Sequence, residues 1–262
     1  MSWLDRFAQP AHGPANGRPR LNIPEMPAAL YAIGDVHGCF EQFQLLQRQI
    51  IADASGIEGP KLLVMLGDYV DRGPQSASVI DALTPPPPAD FTRICLAGNH
   101  EIMMLAHLAN PGRDNGWLEL GGLATLQSYG IEPSLYADAG RRERQALLDA
   151  YIPRDHVDFL EHLPVLALVG PVLFVHAAAQ PGLALADQDE VVLLWDRQAL
   201  APLPDDPWKL VVHGHTPSPQ PVIAAGNINI DTGCFATGIL TALHLDGNQK
   251  PNFLRVDVNN PS

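Results

Sequence analysis

Five short segments of this chain place Asp, Asn or His where a run of apolar residues ends. Because apolar runs of four to eight residues are typical of buried strands, these polar residues are expected at strand ends. Side chains of this kind, repeated at several strand ends, are typical of a metal-dependent hydrolase. The segments are Gly34-Asp35-Val36-His37-Gly38, Gly67-Asp68-Tyr69-Val70-Asp71-Arg72-Gly73, Gly98-Asn99-His100-Glu101, Val175-His176-Ala177 and His213-Gly214-His215-Thr216.

The apolar runs also predict the fold class. Helical patterns follow two of the early runs, at 40–52 and 75–83, whereas the chain after 163 reads as strand and turn. We predict an α/β fold with two packed mixed β-sheets, a β-sandwich flanked by α-helices, and a helical cap inserted at about 101–161. The runs predicted as strands are 29–33, 61–66, 92–97, 163–169, 171–175, 209–212, 227–230 and 239–245.

Length and composition favour one globular domain. The chain has 262 residues, of which 46% are hydrophobic, and we assign 28–262 to a single domain. Residues 1–27 are rich in Pro and Gly, so we predict a flexible, poorly ordered N-terminal arm. No uninterrupted apolar stretch of about 18 residues is present, so neither a transmembrane helix nor a secretory signal is predicted. Cytoplasmic localisation is the default expectation.

Charge and cysteine content exclude some functions. A net charge of −13 disfavours general binding to nucleic acids or anionic membranes, which reward positive surfaces. Metal ions and arginines can still make the field positive locally, so phosphate chemistry remains open. Cys39, Cys95 and Cys234 are an odd number and widely spaced, which predicts neither a disulfide framework nor a thiolate zinc site.

The first two motifs suit metal and phosphate binding. Asp35 and His37 are two residues apart and can point the same way, although Asp in a strand-to-helix turn is also an ordinary cap. Asp68 follows its strand at the same offset and can bridge two metals. Arg72 offers a planar fork for phosphate. The alternative is that the two carboxylates and the arginine of this motif simply form a surface ion pair.

Each of the remaining motifs is, taken alone, weak evidence for a metal site. Asn99 is an ordinary turn former with an amide oxygen that can bind metal, and an isolated His100 more often packs or is solvated. His176, His213 and His215 place imidazoles at the ends of later strands. Five such motifs together favour a two-metal site over five unrelated turns.

The order of the motifs, over residues 30 to about 246, resembles the calcineurin-like metallophosphoesterases. Within them it is similar to the bacterial branch of the phosphoprotein phosphatases, the serine/threonine phosphatases. Trp117-Leu118, Gly121-Gly122, Thr125-Leu126, Ser128-Tyr129-Gly130 and Asn229-Ile230-Asp231-Thr232-Gly233 resemble segments of this branch. The resemblance implies a metallo-dependent phosphatase fold and a phosphomonoester hydrolase that attacks in line with a hydroxide bridging two metals.

The resemblance also implies a role for each site residue. His100 would be the general acid, oriented by Asp71, while Arg72 and Arg197 would bind the phosphate oxygens and stabilise their charge. His213 would not bind a metal ion and would at most contact the residues that do. The implied metal ligands are Asp35 and His37 for the first ion, Asp68 as the bridge, and Asn99, His176 and His215 for the second.

Oxygen and imidazole ligands without thiolates favour two divalent ions, Mn²⁺ first, with Fe or Zn as alternatives. The expected substrate is a phosphoprotein or small phosphoester, with no nucleic acid, membrane or regulatory subunit as partner. The segment after His176 lacks the glycine and arginine common in the bacterial branch, so the residues around the substrate differ there.

The sequence leaves two alternatives to the protein phosphatase, one a second enzyme and the other a non-catalytic module. The alternative enzyme is a symmetrical diadenosine tetraphosphate hydrolase, which shares the Gly-Asp-Val-His-Gly-Cys segment; Asp71 and Glu101 favour the protein phosphatase. A non-catalytic metal-binding module would require the loss of a metal or arginine position, and every such position is present.

Overall fold

The computed structural model describes residues 9–11, 17–88, 90–112, 116–246 and 250–258. Within them, twelve strands form two sheets. The strands are β1 (Gln9–Ala11), β2 (Arg20–Ile23), β3 (Ala29–Ile33), β4 (Lys61–Met65), β5 (Phe91–Cys95), β6 (Leu166–Val169), β7 (Val172–Val175), β8 (Leu210–His213), β9 (Val222–Ala224), β10 (Asn227–Asn229), β11 (Ile239–Leu245) and β12 (Pro251–Asp257).

Helices lie between the early strands and fill the segment before β6. They are α1 (Phe40–Asp53), α2 (Ser76–Leu83), α3 (Asn99–Ala109), α4 (Leu123–Ser128), α5 (Pro133–Asp138), α6 (Arg141–Tyr151), α7 (Arg154–Glu161), α8 (Glu190–Trp195) and α9 (Cys234–Thr237). Short 3-10 turns occupy Ala54–Gly56 and Leu185–Asp187, and a π-helical turn, Leu118–Gly122, precedes α4. Within the described part of the chain, no helix is long and apolar enough to cross a membrane.

Both sheets are mixed, as predicted. The five-stranded sheet has the order β12-β11-β3-β4-β5, in which β3, β4 and β5 are parallel. The seven-stranded sheet has the order β1-β2-β6-β7-β8-β10-β9, in which β7 and β8 are parallel. Each of the eight predicted apolar runs contains a strand, with ends shifted by up to three residues.

The alternation of side chains along each strand builds two apolar layers. On β3, Leu30 and Ala32 belong to a cluster that also holds Phe174 and Val212 of the other sheet, so this cluster is the core of the sandwich. Tyr31 and Ile33 point to the opposite face and pack with the helices. The helix α1 covers this face with Phe43, Leu46 and Ile50, which are spaced for one side of a helix.

The segment predicted as a cap, 101–161, contains helices and turns and no strand among the residues that the structure describes. Its large side chains Trp117, Tyr136 and Leu160 belong to the same apolar layer as α1. The cap therefore packs on the body of the protein through a common core.

The predicted N-terminal arm, residues 1–27, contains two strands, β1 and β2. The strand β2 pairs with β6 in parallel through four residues, and both Arg20 and Ile23 are buried. The Arg20 guanidinium donates to the carbonyl of Gln188 at 2.8 Å, which gives a buried cation an acceptor that the sequence did not reveal. Of the same prediction, residues 1–8 and 12–16 lie outside the described residues.

Candidate active site

The five motifs meet at the ends of five strands. The parallel strands β3, β4 and β5 align Ile33 with Met65 and Met65 with Cys95, so the motifs that follow them lie along one sheet edge. In the other sheet β7 and β8 align Phe174 with Val212, which brings His176 and the segment after His213 together. The two edges face each other, and the residues from all five motifs are in contact there.

Asp68 lies at the centre of this arrangement. One carboxylate oxygen, Oδ2, is 3.3 Å from Nε2 of His37, and the other, Oδ1, is 3.4 Å from Nε2 of His176. Two groups of metal-ligand residues share Asp68, one with His37 and His100 and the other with His176 and His215, and the ligand atoms of each group lie within 4.8 Å of one another. A carboxylate with one oxygen toward each group is placed to bridge two cations.

The second group also contains the amide oxygen of Asn99. This Oδ1 is 2.9 Å from Nε2 of His176 and 3.0 Å from Nδ1 of His215. These four residues are the set that the resemblance implies for the second metal, and their role as ligands stays a prediction.

Asp35 lies at the side of the site. Its carboxylate accepts the backbone N–H of His215, at 3.1 and 3.3 Å for the two oxygens. Among the described residues, Asp35 is in neither of the two ligand groups, and the first group contains His100 instead. Its role as a ligand therefore stays a prediction.

The tautomers of two histidines show that the residues fit cations. Nδ1 of His37 is 2.8 Å from the carbonyl of Val70, and Nδ1 of His176 is 2.9 Å from that of Leu66. Carbonyls only accept, so each Nδ1 carries a proton, and in the neutral imidazole Nε2 then presents a lone pair. The lone pair of His176 then faces the amide oxygen of Asn99, and two acceptors at this distance repel unless a cation lies between them.

Electrostatics support the same fit. Burial, followed by the neighbouring charges of Asp231 and Asp68, raises the pKa of Asp35 well above its usual range. Burial is also the main cause that lowers the pKa of His176 and brings that of His215 to about 4, so both imidazoles are neutral near pH 7. Several buried carboxylates beside neutral imidazoles are costly without a cation and are the donors that Mn²⁺, Fe or Zn bind.

His100 pairs with Asp71, as predicted. Nδ1 of His100 is 2.7 Å from Oδ2 of Asp71, and both side chains are buried. Burial acts to lower the pKa of His100, but the carboxylates of Asp68 and Asp71 outweigh it and raise that pKa above its ordinary value. The pair can thus hold a proton on a histidine that faces the ligand groups.

The two predicted phosphate-binding arginines are exposed, and Arg72 contacts this pair. Nη2 of Arg72 is 3.1 Å from Nε2 of His100, and its guanidinium lies 4.6 Å from the ring centre of Phe235. Arg197 follows α8, and its positive charge is one of the causes that lower the pKa of His215. Arg72 therefore contacts the site directly, and the charge of Arg197 acts on it.

Strained backbone is concentrated in the site. Among the described residues other than glycine, seven have a positive φ, and five of these are predicted site residues. Such conformations cost about 1–3 kcal/mol each and persist where the surroundings enforce them. The five are His37 (φ 44°), Asp68 (φ 50°), Asp71 (φ 73°), Arg72 (φ 68°) and His215 (φ 66°).

Several contributors were not assigned from the sequence. Glu101 is buried and accepts the backbone N–H groups of Gly98, Asp68, Tyr69 and Val70, at 2.8 to 3.2 Å. Asp231 is a further buried carboxylate, and its charge contributes to the raised pKa of Asp35. Trp117 and Thr125, from the cap, both contact the Asp71 carboxylate. Their motifs were visible in the sequence, but nothing local indicated which residues they would contact.

Comparison with known proteins relates this geometry to a family. Residues 29–239 match the family described as calcineurin-like phosphoesterase. An asymmetrical bis(5'-nucleosyl)-tetraphosphatase, PrpE, of Anoxybacillus flavithermus is 28% identical over 80% of this chain and 88% of its own length. A symmetrical bis(5'-nucleosyl)-tetraphosphatase of Aromatoleum aromaticum is 29% identical over 64% of this chain, which spans about half, 53%, of that relative.

A protein phosphatase is also among the relatives. Serine/threonine-protein phosphatase 2 of Escherichia coli is 38% identical over 36% of this chain and 38% of its own length. Among solved structures, a protein serine/threonine phosphatase of Saccharomyces cerevisiae superposes with a TM-score of 0.57 at 15% identity, covering 97% of this chain and 86% of that one. At this identity the likeness shows a common fold.

Proposed function

Because the chain belongs to the calcineurin-like phosphoesterase family, whose members are dinuclear metal-dependent hydrolases, we propose that it removes phosphate from phosphoserine or phosphothreonine in proteins. The buried pair of His100 and Asp71 carries this proposal. Serine and threonine leave as alkoxides, which are strong bases and need a proton as the bond to phosphorus breaks. A histidine whose pKa is raised by two carboxylates is suited to supply that proton.

We assign the metal-binding residues as the sequence predicted. Asp35, His37 and Asp68 would hold one ion, and Asp68, Asn99, His176 and His215 the other. Mn²⁺ suits this mixture of oxygen and imidazole ligands best, with Fe or Zn as alternatives. Two such ions, when bound, supply positive charge and activate water for attack on phosphorus.

Four side chains then have the remaining roles in phosphate binding and proton transfer. Arg72 and Arg197 bind the phosphate oxygens and stabilise the charge that develops on them. Nε2 of His100 accepts from Arg72 in this structure. As Arg72 turns toward the phosphate, this nitrogen is released and takes up a proton from solvent. His100 transfers its proton from Nε2, and Asp71 holds the ring through Nδ1.

Hydrolysis of dinucleoside polyphosphates is the second candidate. It is favoured by the similarity to the Anoxybacillus relative, which extends over 88% of that protein. The leaving group in this reaction is a nucleotide phosphate, a weak base that needs little protonation. The two candidates therefore differ in how strongly they depend on His100.

One set of assays tests the proposal. The wild type and His100→Asn, both loaded with Mn²⁺, are assayed on a phosphoserine peptide, p-nitrophenyl phosphate and diadenosine tetraphosphate. We expect the wild type to prefer the peptide, and the variant to lose about 10²–10⁴-fold in kcat on the peptide but far less on p-nitrophenyl phosphate, whose leaving group is a weak base. His162→Asn, which changes an exposed histidine at the end of α7, is the control.

The alternative outcomes are distinct. Efficient cleavage of diadenosine tetraphosphate with little activity on the peptide would replace the first candidate by the second. Equal losses on the peptide and on p-nitrophenyl phosphate would remove His100 from the role of acid. A wild type inert on all three substrates would end both candidates.

A further inference from the structure

The cap directly contacts the buried pair of His100 and Asp71, called the acid pair below. The indole N–H of Trp117 lies 2.8 Å from Oδ2 and 3.0 Å from Oδ1 of Asp71. The hydroxyl of Thr125 donates to Oδ1 of the same carboxylate at 2.7 Å and accepts the backbone N–H of Asp71 at 2.8 Å. With His100 on Oδ2, both carboxylate oxygens are engaged, and two of the three side-chain donors come from the cap.

The same cap segment holds the strained turn that carries Asp71 and Arg72. Both residues have left-handed φ angles, which these residue types rarely adopt without support. The Arg72 N–H donates to the carbonyl of Gly121 at 3.4 Å, and the Ser76 hydroxyl accepts the Asp71 N–H at 3.0 Å. At Asp71 and Arg72 the turn is therefore held by the π-helical segment, by Thr125 of α4 and by Ser76 of α2.

We propose that Trp117 and Thr125 are positioning residues, which hold the Asp71 carboxylate in the one orientation that aims Nε2 of His100 at the leaving oxygen. This rests on the proposed function, in which His100 is the acid. Neither residue reaches the substrate in this role. Their effect passes through Asp71, so their loss matters most where the leaving group is a strong base.

The structure provides a matched control for Trp117. Trp117 and Trp208 are both fully buried in the same apolar layer. Nε1 of Trp208, in contrast, has no hydrogen-bond partner among the described residues. Trp117→Phe and Trp208→Phe thus remove the same atoms from the same kind of surroundings, but only the first removes a donor to Asp71.

Thr125 provides a second, smaller perturbation. Thr125→Val keeps the shape of the side chain and removes the hydroxyl, whereas Thr125→Ser keeps the hydroxyl and removes a methyl group. If the hydroxyl positions Asp71, the serine variant retains the activity that the valine variant loses. This pair remains informative if Trp117→Phe fails to fold.

The experiment compares kcat on a phosphoserine peptide with kcat on p-nitrophenyl phosphate for all four variants with Mn²⁺. We expect Trp117→Phe and Thr125→Val to lose about tenfold or more on the peptide, which is part of the roughly 10²–10⁴-fold that a positioned acid contributes. On p-nitrophenyl phosphate, whose leaving group is a weak base, they should stay within about twofold of the wild type. Trp208→Phe and Thr125→Ser should match the wild type on both substrates.

Three results would overturn the inference. Losses of equal size on both substrates would show a general structural effect. Full peptide activity in Trp117→Phe and Thr125→Val, while His100→Asn still shows the selective loss, would leave the proposed function intact and refute the positioning role alone. A wild type without activity on phosphate esters would end the proposed function and this inference with it.

Discussion

Substituting Gly214 by Ala tests whether Asp35 is a metal ligand, the least supported of the six assignments. Gly214 lies between His213 and His215, just after β8. A Cβ at this position would overlap Oδ1 of Asp35 and come within 3.1 Å of its Cγ. The same carboxylate accepts the N–H of His215 at 3.1 Å, so it has no room to stay where it is.

The size of the effect follows from the overlap. Non-bonded carbon atoms are most favourable at about 3.5–4.0 Å, so the carboxylate must move by roughly 1 Å or more. Ligand distances in metal sites tolerate only about 0.2 Å. Overpacking of this kind costs about 1–3 kcal/mol, well below the roughly 5–15 kcal/mol that keeps a domain folded. The variant should therefore fold, with a Tm lowered by about 2–12 °C for a chain of this size.

The assay is elemental analysis of the Mn²⁺-loaded protein after desalting, together with kcat on p-nitrophenyl phosphate. We expect about two ions per chain in the wild type and about one in Gly214→Ala, with kcat reduced by about 10²-fold or more. Gly56→Ala is the control, because nothing lies within 4 Å of a Cβ at Gly56. It should keep both ions and the wild-type kcat.

A Gly214→Ala protein that keeps two tightly bound ions and normal kcat would remove Asp35 from the ligand set. Loss of both ions would show that the change also reaches His215, the next residue, whose N–H the Asp35 carboxylate accepts.

Two further substitutions test the metal-bridging role of Asp68 and the phosphate-binding role of Arg197. Asp68→Asn keeps one oxygen and replaces the other by an amide NH₂, which cannot bind a cation; the tightly bound metal should fall to about one ion per chain or less, and an unchanged content of about two would refute the bridge. Arg197→Ala should raise KM or lower kcat for phosphoserine peptide about tenfold, in line with a charged hydrogen bond of about 1.5–3 kcal/mol. Arg48→Ala, at an exposed position of α1, should change neither, and kinetics of Arg197→Ala equal to those of this control would remove Arg197 from substrate binding.

The sequence predicted the central strands because they are buried on both faces. Continuous apolar runs such as 61–66 and 239–245 carry the signal of a strand that packs on two layers. Four strands were missed, and they lie at or next to a sheet edge. β9 is exposed at all three positions, β12 begins with Pro251, and β2 carries a buried arginine between Pro19 and Pro24.

The site was predictable to the extent that the predicted ligands follow the ends of strands. The sequence identified which residues end strands, and parallel pairing then brings those ends together. It did not indicate contacts between distant segments, such as those of Trp117 and Thr125 with Asp71, which join residues 46 and 54 positions apart. These depend on how the cap packs, which is decided by the whole apolar layer and not by any short motif.

The strained residues explain why the supporting contacts are so numerous. Asp68, Asp71 and Arg72 all have left-handed φ angles within one turn, a cost of several kcal/mol if each contributes about 1–3. Glu101 accepts the N–H groups of Asp68, Tyr69 and Val70 on one side of this turn, and Thr125 accepts that of Asp71 on the other. Hydrogen bonds to a charged group contribute about 1.5–3 kcal/mol each, enough to offset the strain. The turn is thus held by α3 and the cap, which means that helices outside the sheets fix where the central carboxylate and the acid pair lie.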